Sequence, residues 1–359
     1  VKEDVTKDEV VVPAGMNTPT PLPSTPTPTS VIDVSRQERI AFFSSRNHRD
    51  HPDVSPNGAK PDDIYVIALD GTVEQYVAQP TEGFSGHSLT WTPDGRSVVA
   101  DGSMSPRLFV VNTETLDDTR LITGPLVDTV AMGLTWSPDG SQAALTCWDP
   151  EKPSGEQQEI CLLGTDLEPA RLVRLTDNQA MDWMPAWSPD GSKIAYSSDF
   201  PGTGPTDIYI LDLAEIDASP KKITIDSQTR DVNWSPDGRW IAFVSYKPDP
   251  GTGMWSLNLV PADGSGSPKL IGSSLNLPVW SPDGRVLAFD RMASFDEYEG
   301  IYLADSDASN ARLVVPSAGR PSWSSDGTRI AFEKEGNIWI MDSDGTNQTQ
   351  LTSSGFDHS

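Results

Sequence analysis

The pentapeptide Trp-Ser-Pro-Asp-Gly at residues 187–191 is one of six near-copies of a phrase that recurs along the chain. Four copies are identical, one has Thr92 in the second place, and one has Ser325 in the third. The copies begin at tryptophans that lie 43–51 residues apart: Trp91, Trp136, Trp187, Trp234, Trp280 and Trp323. A repeat of this length, made of strand-like segments, predicts a radial array of β-sheets.

Each residue of this turn phrase has a physical reason to recur. Proline fixes the backbone angle that the first corner of a β-turn needs, aspartate can accept bonds from the backbone beyond it, and glycine tolerates positive φ. Tryptophan offers a large flat apolar surface to a neighbouring sheet. Three further strand-like segments follow each turn, as at residues 193–197, 207–211 and 221–225. Each repeat therefore predicts a four-stranded antiparallel meander, which is one blade of a propeller.

The repeats resemble the WD40-like propeller repeats of the TolB family, whose members form β-propellers. The resemblance covers about nine-tenths of the chain. Residues 31–35 take the place of a first strand in a degenerate N-terminal blade, with residues 36–38 in place of its turn. We therefore expect an all-β, seven-bladed propeller over residues 31–359. Because the last repeat contains all its own strands, we expect the ring either to be unstitched or to be closed by a strand from residues 31–35.

Composition supports an all-β chain and excludes some partners. The sequence has 31 prolines and 28 glycines and no long stretch with helical apolar spacing. No run of eighteen apolar residues occurs, so no membrane span is predicted. The formal net charge of −26 disfavours binding to nucleic acid or to anionic membrane surfaces. A net charge of this size keeps a protein soluble, and it is also compatible with attraction to cationic partners or divalent ions.

Residues 1–30 differ from the rest and predict an extended arm. Proline and threonine alternate over residues 18–30, which favours polyproline geometry and gives a semi-rigid spacer without a core. Such stalks hold extracytoplasmic domains away from membrane anchors in bacterial lipoproteins. The chain opens on Val1 without Met or a signal-peptide apolar core. We expect a processed, extracytoplasmic bacterial protein (periplasmic, cell-surface or secreted), with any lipid anchor upstream of residue 1.

The two cysteines, Cys147 and Cys161, are predicted on neighbouring strands of one blade, diagonally across a hairpin. Both a disulfide and a pair of small buried apolar side chains fit this placement. The pair lacks CxxC spacing and a nearby histidine, so it does not predict a metal site.

Two other segments contain groups that can bind metals. His48 and His51 stand close to Asp50 and Asp53, but an exposed polar loop explains them more simply than a zinc or nickel site. Residues 342–347 alternate oxygen side chains like a calcium loop, yet they lack the closing glutamate and lie where a hairpin turn belongs. No cofactor is predicted, and a divalent cation such as calcium has no support.

No catalytic motif is present. The sequence lacks G-x-S-x-G, HExxH, CxxC and glycine-rich phosphate loops, and we expect no hydrolase domain after the last repeat. The best candidate site is the mouth of the central channel, where the residues that begin each innermost strand should converge. Those candidates are His87, Asp182, Arg230, Asp231, Asn276 and Arg320. Mixed charges there suit a small ligand or a peptide terminus, and they equally suit a solvated pore.

The resemblance leaves several functions open. Propellers of this kind serve as protein-docking modules, as gating domains of prolyl oligopeptidase-like enzymes and as parts of envelope assemblies. We expect a non-catalytic binding or scaffold protein that docks a protein partner through a propeller face. One alternative is a propeller enzyme, or a protein that binds a carbohydrate or another small ligand at the channel mouth. Another is a structural subunit of an envelope or extracellular assembly, joined by residues 1–30.

Overall fold

The structure is a computed structural model. It describes residues 39–44, 63–71, 74–78, 86–102, 108–113, 120–122, 132–149, 151–153, 157–164, 172–199, 206–216, 219–224, 228–246, 255–273, 275–294, 297–353 and 357–358. The predicted arm at residues 1–30, the predicted strand at residues 31–35 and the loop with His48 and His51 lie outside the described residues.

The described residues form strands and turns, with no helix among them. The strands, in chain order, are β1 (Arg39–Ser44), β2 (Asp63–Ala68), β3 (Glu74–Ala78), β4 (Gly86–Trp91), β5 (Ser97–Gly102), β6 (Leu108–Asn112), β7 (Arg120–Ile122), β8 (Met132–Trp136), β9 (Gln142–Trp148), β10 (Gln158–Gly164), β11 (Val173–Arg174), β12 (Asp182–Trp187), β13 (Lys193–Ser198), β14 (Asp207–Asp212), β15 (Lys221–Lys222), β16 (Thr229–Trp234), β17 (Trp240–Tyr246), β18 (Trp255–Pro261), β19 (Lys269–Ser273), β20 (Leu275–Trp280), β21 (Val286–Ser294), β22 (Glu297–Asp305), β23 (Arg312–Pro316), β24 (Ala318–Trp323), β25 (Arg329–Lys334), β26 (Asn337–Asp342), β27 (Thr349–Gln350) and β28 (Asp357–His358).

These strands pair antiparallel in four-stranded sheets. Sheet one has the order β28-β1-β2-β3, and sheets two to seven each take the next four strands in sequence, from β4–β7 to β24–β27. Sheets two to seven each contain one copy of the turn phrase between their first and second strands. Sheet one lacks the phrase, and its first strand has only two residues. No described segment is a helix long and apolar enough to cross a membrane.

Apolar side chains pack between the sheets, because both faces of each sheet are covered by neighbours. All five inner residues of β9 are buried, as expected of a strand covered on both faces. Each apolar cluster in the described residues joins two consecutive sheets. One further cluster joins Phe42, Tyr65 and Ile67 of sheet one to Ile338 of sheet seven. This arrangement confirms the all-β propeller.

The turn phrase forms the same hydrogen-bonded turn in every copy. In sheet four, Oδ1 of Asp190 accepts bonds from Oγ of Ser188 at 2.6 Å and from the amide of Ser192 at 3.0 Å. Oγ of Ser188 accepts a bond from the amide of Lys193 at 2.9 Å, and Gly191 has a φ of 70°. The five other copies repeat the bond between the hydroxyl and the carboxylate at 2.6–2.7 Å. The phrase therefore recurs because it closes the turn between the first two strands.

The turns also stack from one sheet to the next. A Cβ built on Gly191 would lie 3.7 Å from Cδ of Pro138, in the phrase of the preceding sheet. At Gly284 the same distance to Pro236 is 3.4 Å, and at Gly327 it is 3.4 Å to Pro282. Proline in one phrase thus packs on glycine in the next, which gives both residues a structural reason to recur.

The seam between the first and last sheets differs from our expectation. β28, near the C-terminus, pairs with β1 in the register Phe43–His358 and Ser44–Asp357. The expectation of an unstitched ring was therefore wrong, whereas closure by residues 31–35 concerns a segment outside the described residues. The physical reason is that a C-terminal strand joins the last sheet to the first and covers part of the edge of β1 that would otherwise be exposed.

Candidate functional site

The predicted channel residues lie on the first strands of their sheets. Asp182 begins β12, Arg230 and Asp231 lie on β16, Asn276 lies on β20, and Arg320 lies on β24. First strands of neighbouring sheets contact one another, as expected near a common axis. His87 lies on β4, but its side chain and those of Arg230, Asp231 and Asn276 lie outside what the structure describes. The ligand-binding role of these residues stays a prediction.

Asp182 is completely buried rather than exposed at an opening. Its Oδ2 accepts a hydrogen bond from Nδ2 of Asn178 at 2.8 Å. Burial raises the pKa of Asp182, and hydrogen bonds from Ser198 and Asn178 oppose that rise. In this conformation the carboxyl group lies in the protein interior.

A second buried acid, Glu159, lies next to Asp182 and was not identified from the sequence. It forms an ion pair with Nζ of Lys152 and accepts a bond from Oγ1 of Thr176 at 2.6 Å. Burial raises the pKa of Glu159 to about 7, against the opposing bonds from Lys152 and Thr176; the negative charge of Asp182 raises it further. Lys152 also pairs with Asp177 at 2.6 Å. Lys152, Glu159, Thr176, Asp177, Asn178 and Asp182 form what we call the sheet-three acid cluster.

The position of Glu159 has a structural counterpart in another sheet. In sheet four, Thr224 Oγ1 donates to Oδ1 of Asp207 at 2.8 Å and accepts from the amide of Ile208 at 2.8 Å. In sheet three, Thr176 bonds in the same way to Glu159 and to the amide of Ile160. In these two sheets the threonine that follows the fourth strand thus ties that strand to the third. This repeated Leu-Thr or Ile-Thr signal could have located the buried acids from the sequence.

Arg320 connects two sheets. Its amide, at a φ of 54°, donates to Oδ2 of Asp290 in sheet six at 2.9 Å. Its Nε donates to the hydroxyl of Tyr298 at 3.1 Å and lies 3.7 Å from the carboxylate of Glu333. Met184 occupies the same place in sheet four, with a φ of 55° and an amide bond to Oγ1 of Thr146 at 3.1 Å. The backbone of this position therefore bonds to the preceding sheet in both cases.

Cys147 and Cys161 are joined as a disulfide between β9 and β10, with their Cα atoms 5.8 Å apart. The pairing is diagonal, because Cys147 faces Glu159 and Cys161 faces Leu145 in the strand register. The disulfide therefore fixes the hairpin that holds Glu159.

The acidic segment at residues 342–347 is a turn, as the sequence predicted. Oδ1 of Asp344 accepts the amide of Thr346 at 2.9 Å, and the carbonyl of Asp344 accepts a bond from Arg312 of the preceding sheet at 2.8 Å. Lys269 bonds to the carbonyl of Asp307 in the same manner at 2.7 Å. In the part of the chain that the structure describes, no group of three or more His, Cys, Asp or Glu residues is placed to bind a metal.

Comparisons with known proteins agree with this architecture. A structure titled as a putative TolB from Agrobacterium tumefaciens matches with 21% identity and a TM-score of 0.53, covering 84% of this chain and 90% of that one. An oligogalacturonate lyase from Vibrio parahaemolyticus matches with 14% identity and a TM-score of 0.55, covering 80% and 82%. A puromycin-hydrolyzing peptidase of Mycobacterium tuberculosis matches with 16% identity and a TM-score of 0.60, covering 93% and 56%. At these identities the likeness shows the fold alone.

Two sequence comparisons are more specific. An uncharacterized protein of Agrobacterium fabrum is 26% identical over an alignment of 239 residues that covers 60% of this chain and 76% of that protein. The TolB beta propeller domain profile matches residues 64–252. Because that match spans more than half of the chain, the protein belongs to the TolB β-propeller domain family.

Proposed function

We propose that the protein is a non-catalytic binding or scaffold protein that docks a protein partner through one face of its propeller. The proposal rests on one observation: the polar residues that recur in the turn phrases form hydrogen bonds inside the propeller framework. In all six copies of the turn phrase, the aspartate bonds to the hydroxyl of its own turn. Residues of this kind build a rigid support, and rigid supports present binding loops.

We further propose that the propeller is a closed ring of seven blades. The support is the set of seven four-stranded sheets and the apolar clusters that link each sheet to the next. The cluster between Ile338 and Phe42 joins sheet seven to sheet one. β28 supplies part of the first strand of sheet one and contacts β26 of sheet seven.

The docking face is the one on which the second and third strands are connected. In sheet four, Ser198 pairs with both Asp182 and Asp207, so the first strand begins at the same end as that connection. The turn phrases lie at the opposite end. Connecting loops vary in length between sheets, from the two residues after Lys334 to the longer segment between β9 and β10. Variable loops on a rigid frame are a common location for binding.

An extracytoplasmic location fits the disulfide between Cys147 and Cys161, because disulfides persist in oxidising compartments. The net charge of −26 favours a partner with a cationic surface over nucleic acid or an anionic membrane. A stalk at residues 1–30 would place the propeller away from an anchoring surface.

Photo-cross-linking at the two ends of one sheet tests the docking face. Glu297 is exposed at the hairpin between β21 and β22, and Arg285 is exposed directly after the turn phrase of the same sheet. A photoreactive residue at position 297 should give a discrete adduct with one protein in an envelope preparation, and the same residue at position 285 should not. Equal adducts from both positions, or none from either, would count against the proposal.

A propeller enzyme, or a protein that binds a small ligand at the channel mouth, is the alternative function. It is favoured by the adjacent buried acids Glu159 and Asp182, because displaced pKa values cluster at functional sites. An Asp231→Asn/Asn276→Ala variant separates the two functions. If the position-297 adduct persists in that variant, the docking proposal holds; if it is lost while the melting temperature is unchanged, binding depends on the channel mouth.

A structural subunit joined by residues 1–30 is a further alternative, from the composition of that arm. Deleting residues 1–30 and measuring the molar mass by light scattering tests it. A lower mass after deletion would support assembly through the arm, whereas an unchanged mass would argue against it.

A further inference from the structure

A cleft lies at the seam of the ring, between sheets seven, one and two. Its volume is about 580 Å³. Ile40 and Ala41 of β1 form part of its wall, and Trp91 and Trp323 line it from the two neighbouring sheets. We call this space the seam cleft.

The strand register explains why the cleft lies there. In sheet four, Ile194 and Ala195 pair with Trp187 and Ala186 of the first strand. The corresponding residues of sheet one are Ile40 and Ala41, because Arg39 begins β1 as Lys193 begins β13. β28 pairs with Phe43 and Ser44 alone. Within the described residues, Ile40 and Ala41 therefore pair with β2 on one side and face the seam cleft on the other.

The stacking of proline on glycine between neighbouring turn phrases is also interrupted at the seam. Sheet seven has Ser325 in the place of the proline that packs on glycine elsewhere, as Pro282 packs on Gly327. Sheet one has no turn phrase to receive such a proline. Gly95, in the phrase of sheet two, lines the cleft together with Ser325. The cleft therefore continues from the edge of β1 into the row of turns.

The charge of the cleft is opposite to that of the whole protein. Arg39 and Arg329 are the charged side chains among the described residues that line it, in a chain of net charge −26. The guanidinium of Arg39 lies 5.1 Å from the ring centre of Trp91 and donates to the carbonyl of Gly95 at 3.1 Å. Arg329 is 45% exposed, with Nε 3.9 Å from Asp342. An acidic group fits this charge.

We propose that the seam cleft binds an extended segment of a partner protein, in which an aromatic residue is followed within three positions by an acidic one. The segment adds by strand pairing to the edge of β1 that faces the seam cleft. The same order occurs in sheet four, where Trp187 precedes Asp190 and donates its indole N–H to the carbonyl of Thr135 at 3.3 Å. Ser322 holds the equivalent carbonyl at the seam, because it precedes Trp323 as Thr135 precedes Trp136.

This site lies at the end of the turn phrases, opposite the docking face proposed above. A result that disproves binding at the seam cleft therefore does not disprove docking at the opposite face, and the reverse also holds. Residues 31–35 of the same chain are the competing occupant, since residues 36–38 alone connect them to Arg39.

The probe is a fluorescent octapeptide with blocked ends and the sequence of residues 184–191, Met-Pro-Ala-Trp-Ser-Pro-Asp-Gly. Fluorescence anisotropy with the full chain should show saturable binding. Replacing the peptide's Trp with Ala should abolish binding, and replacing its Asp with Asn should weaken it about tenfold. These two controls require no change to the protein.

A matched pair of protein variants locates the site. Arg329→Glu should weaken binding about tenfold or more. Lys193→Glu should leave it unchanged, because Lys193 forms the equivalent ion pair with Asp212 in a sheet whose first strand is complete. Equal effects of the two variants would overturn the proposed location.

An Ile32→Asp/Val34→Asp variant separates the two occupants. Binding by both the parent chain and this variant supports a partner segment. Binding by the variant alone would assign the cleft to the chain's own residues and overturn the proposal, as would binding by neither protein.

Discussion

The indole Nε1 of Trp234 donates a hydrogen bond to the carbonyl oxygen of Ala186, 3.1 Å away in the preceding sheet. The same bond joins Trp187 to Thr135 and Trp323 to Val279, at 3.3 and 3.4 Å. In each case the acceptor is the residue just before the tryptophan of the previous copy of the turn phrase. In these copies the phrase therefore closes its own turn and binds the preceding sheet through its tryptophan.

Replacing Trp234 with Phe should cost more stability than replacing Trp280 with Phe. Both indoles are buried, at 8% and 7% exposure, but Nε1 of Trp280 has no hydrogen-bond partner among the described residues. The two variants lose similar apolar area, and Trp234→Phe also leaves the carbonyl of Ala186 without its donor. The difference should be about 1–2 kcal/mol in urea unfolding. Equal costs would mean that the bond contributes nothing.

Substituting the turn glycines tests the contact between neighbouring turns. Gly140 and Gly191 have φ values of 68° and 70°, so Ala at either position should cost about 1–2 kcal/mol for the backbone alone. A Cβ at residue 140 would lie 2.6 Å from Cβ of Pro93, whereas at residue 191 its nearest contact is 3.7 Å. Gly140→Ala should therefore cost about 1–3 kcal/mol more than Gly191→Ala. Equal thermal midpoints for the two variants would contradict this prediction.

Because the pKa of Glu159 is raised in the folded state, the free energy of unfolding should decrease as the pH rises. Its folded pKa of about 7 is above the ordinary glutamate value of 4.5, so between these values the folded state holds a proton that the unfolded state has lost. Stability should fall by up to about 3 kcal/mol from pH 5 to pH 8. Glu159→Gln should remove most of this slope, and the exposed control Glu297→Gln should not. Urea midpoints at several pH values measure it; identical slopes in all three proteins would contradict the assignment.

The disulfide should be present in the purified protein and should contribute to stability. Cys147 and Cys161 are 14 residues apart in sequence, and a closed loop of that size is worth about 3 kcal/mol. Thiol labelling of the denatured, unreduced chain should find no reactive cysteine, and Cys147→Ser/Cys161→Ser should lower the unfolding free energy by about that amount. Two reactive thiols in the native sample would show that the bond is not formed.

The sequence was sufficient for much of the fold because the turn phrase is local. Each copy needs only its own five residues to close the turn, as Ser188, Asp190 and Gly191 show. The regular spacing of the tryptophans then specified the blades. The diagonal placement of Cys147 and Cys161 also followed from counting along two paired strands.

Other features depend on contacts that are distant in sequence. Residues 357–358 contain no strand-like pattern, and they pair with β1 because the ring brings the two ends of the chain together. Glu159 is an ordinary acid in a strand until Lys152 and Thr176 surround it. Arg320 was predicted at the channel mouth, but its contacts with Tyr298 and Asp290 follow from how sheets six and seven meet.

Cross-linking across the seam is the most direct measurement of ring closure. Ser44 lies opposite Asp357 in the strand register, so a Ser44→Cys/Asp357→Cys variant should react with a short thiol cross-linker to join the two peptides in mass spectrometry. A Ser44→Cys/Gln350→Cys control, whose residues are not strand partners, should give far less of the linked product. Absence of the 44–357 link, or equal yields from the two variants, would contradict a propeller closed by its C-terminal strand.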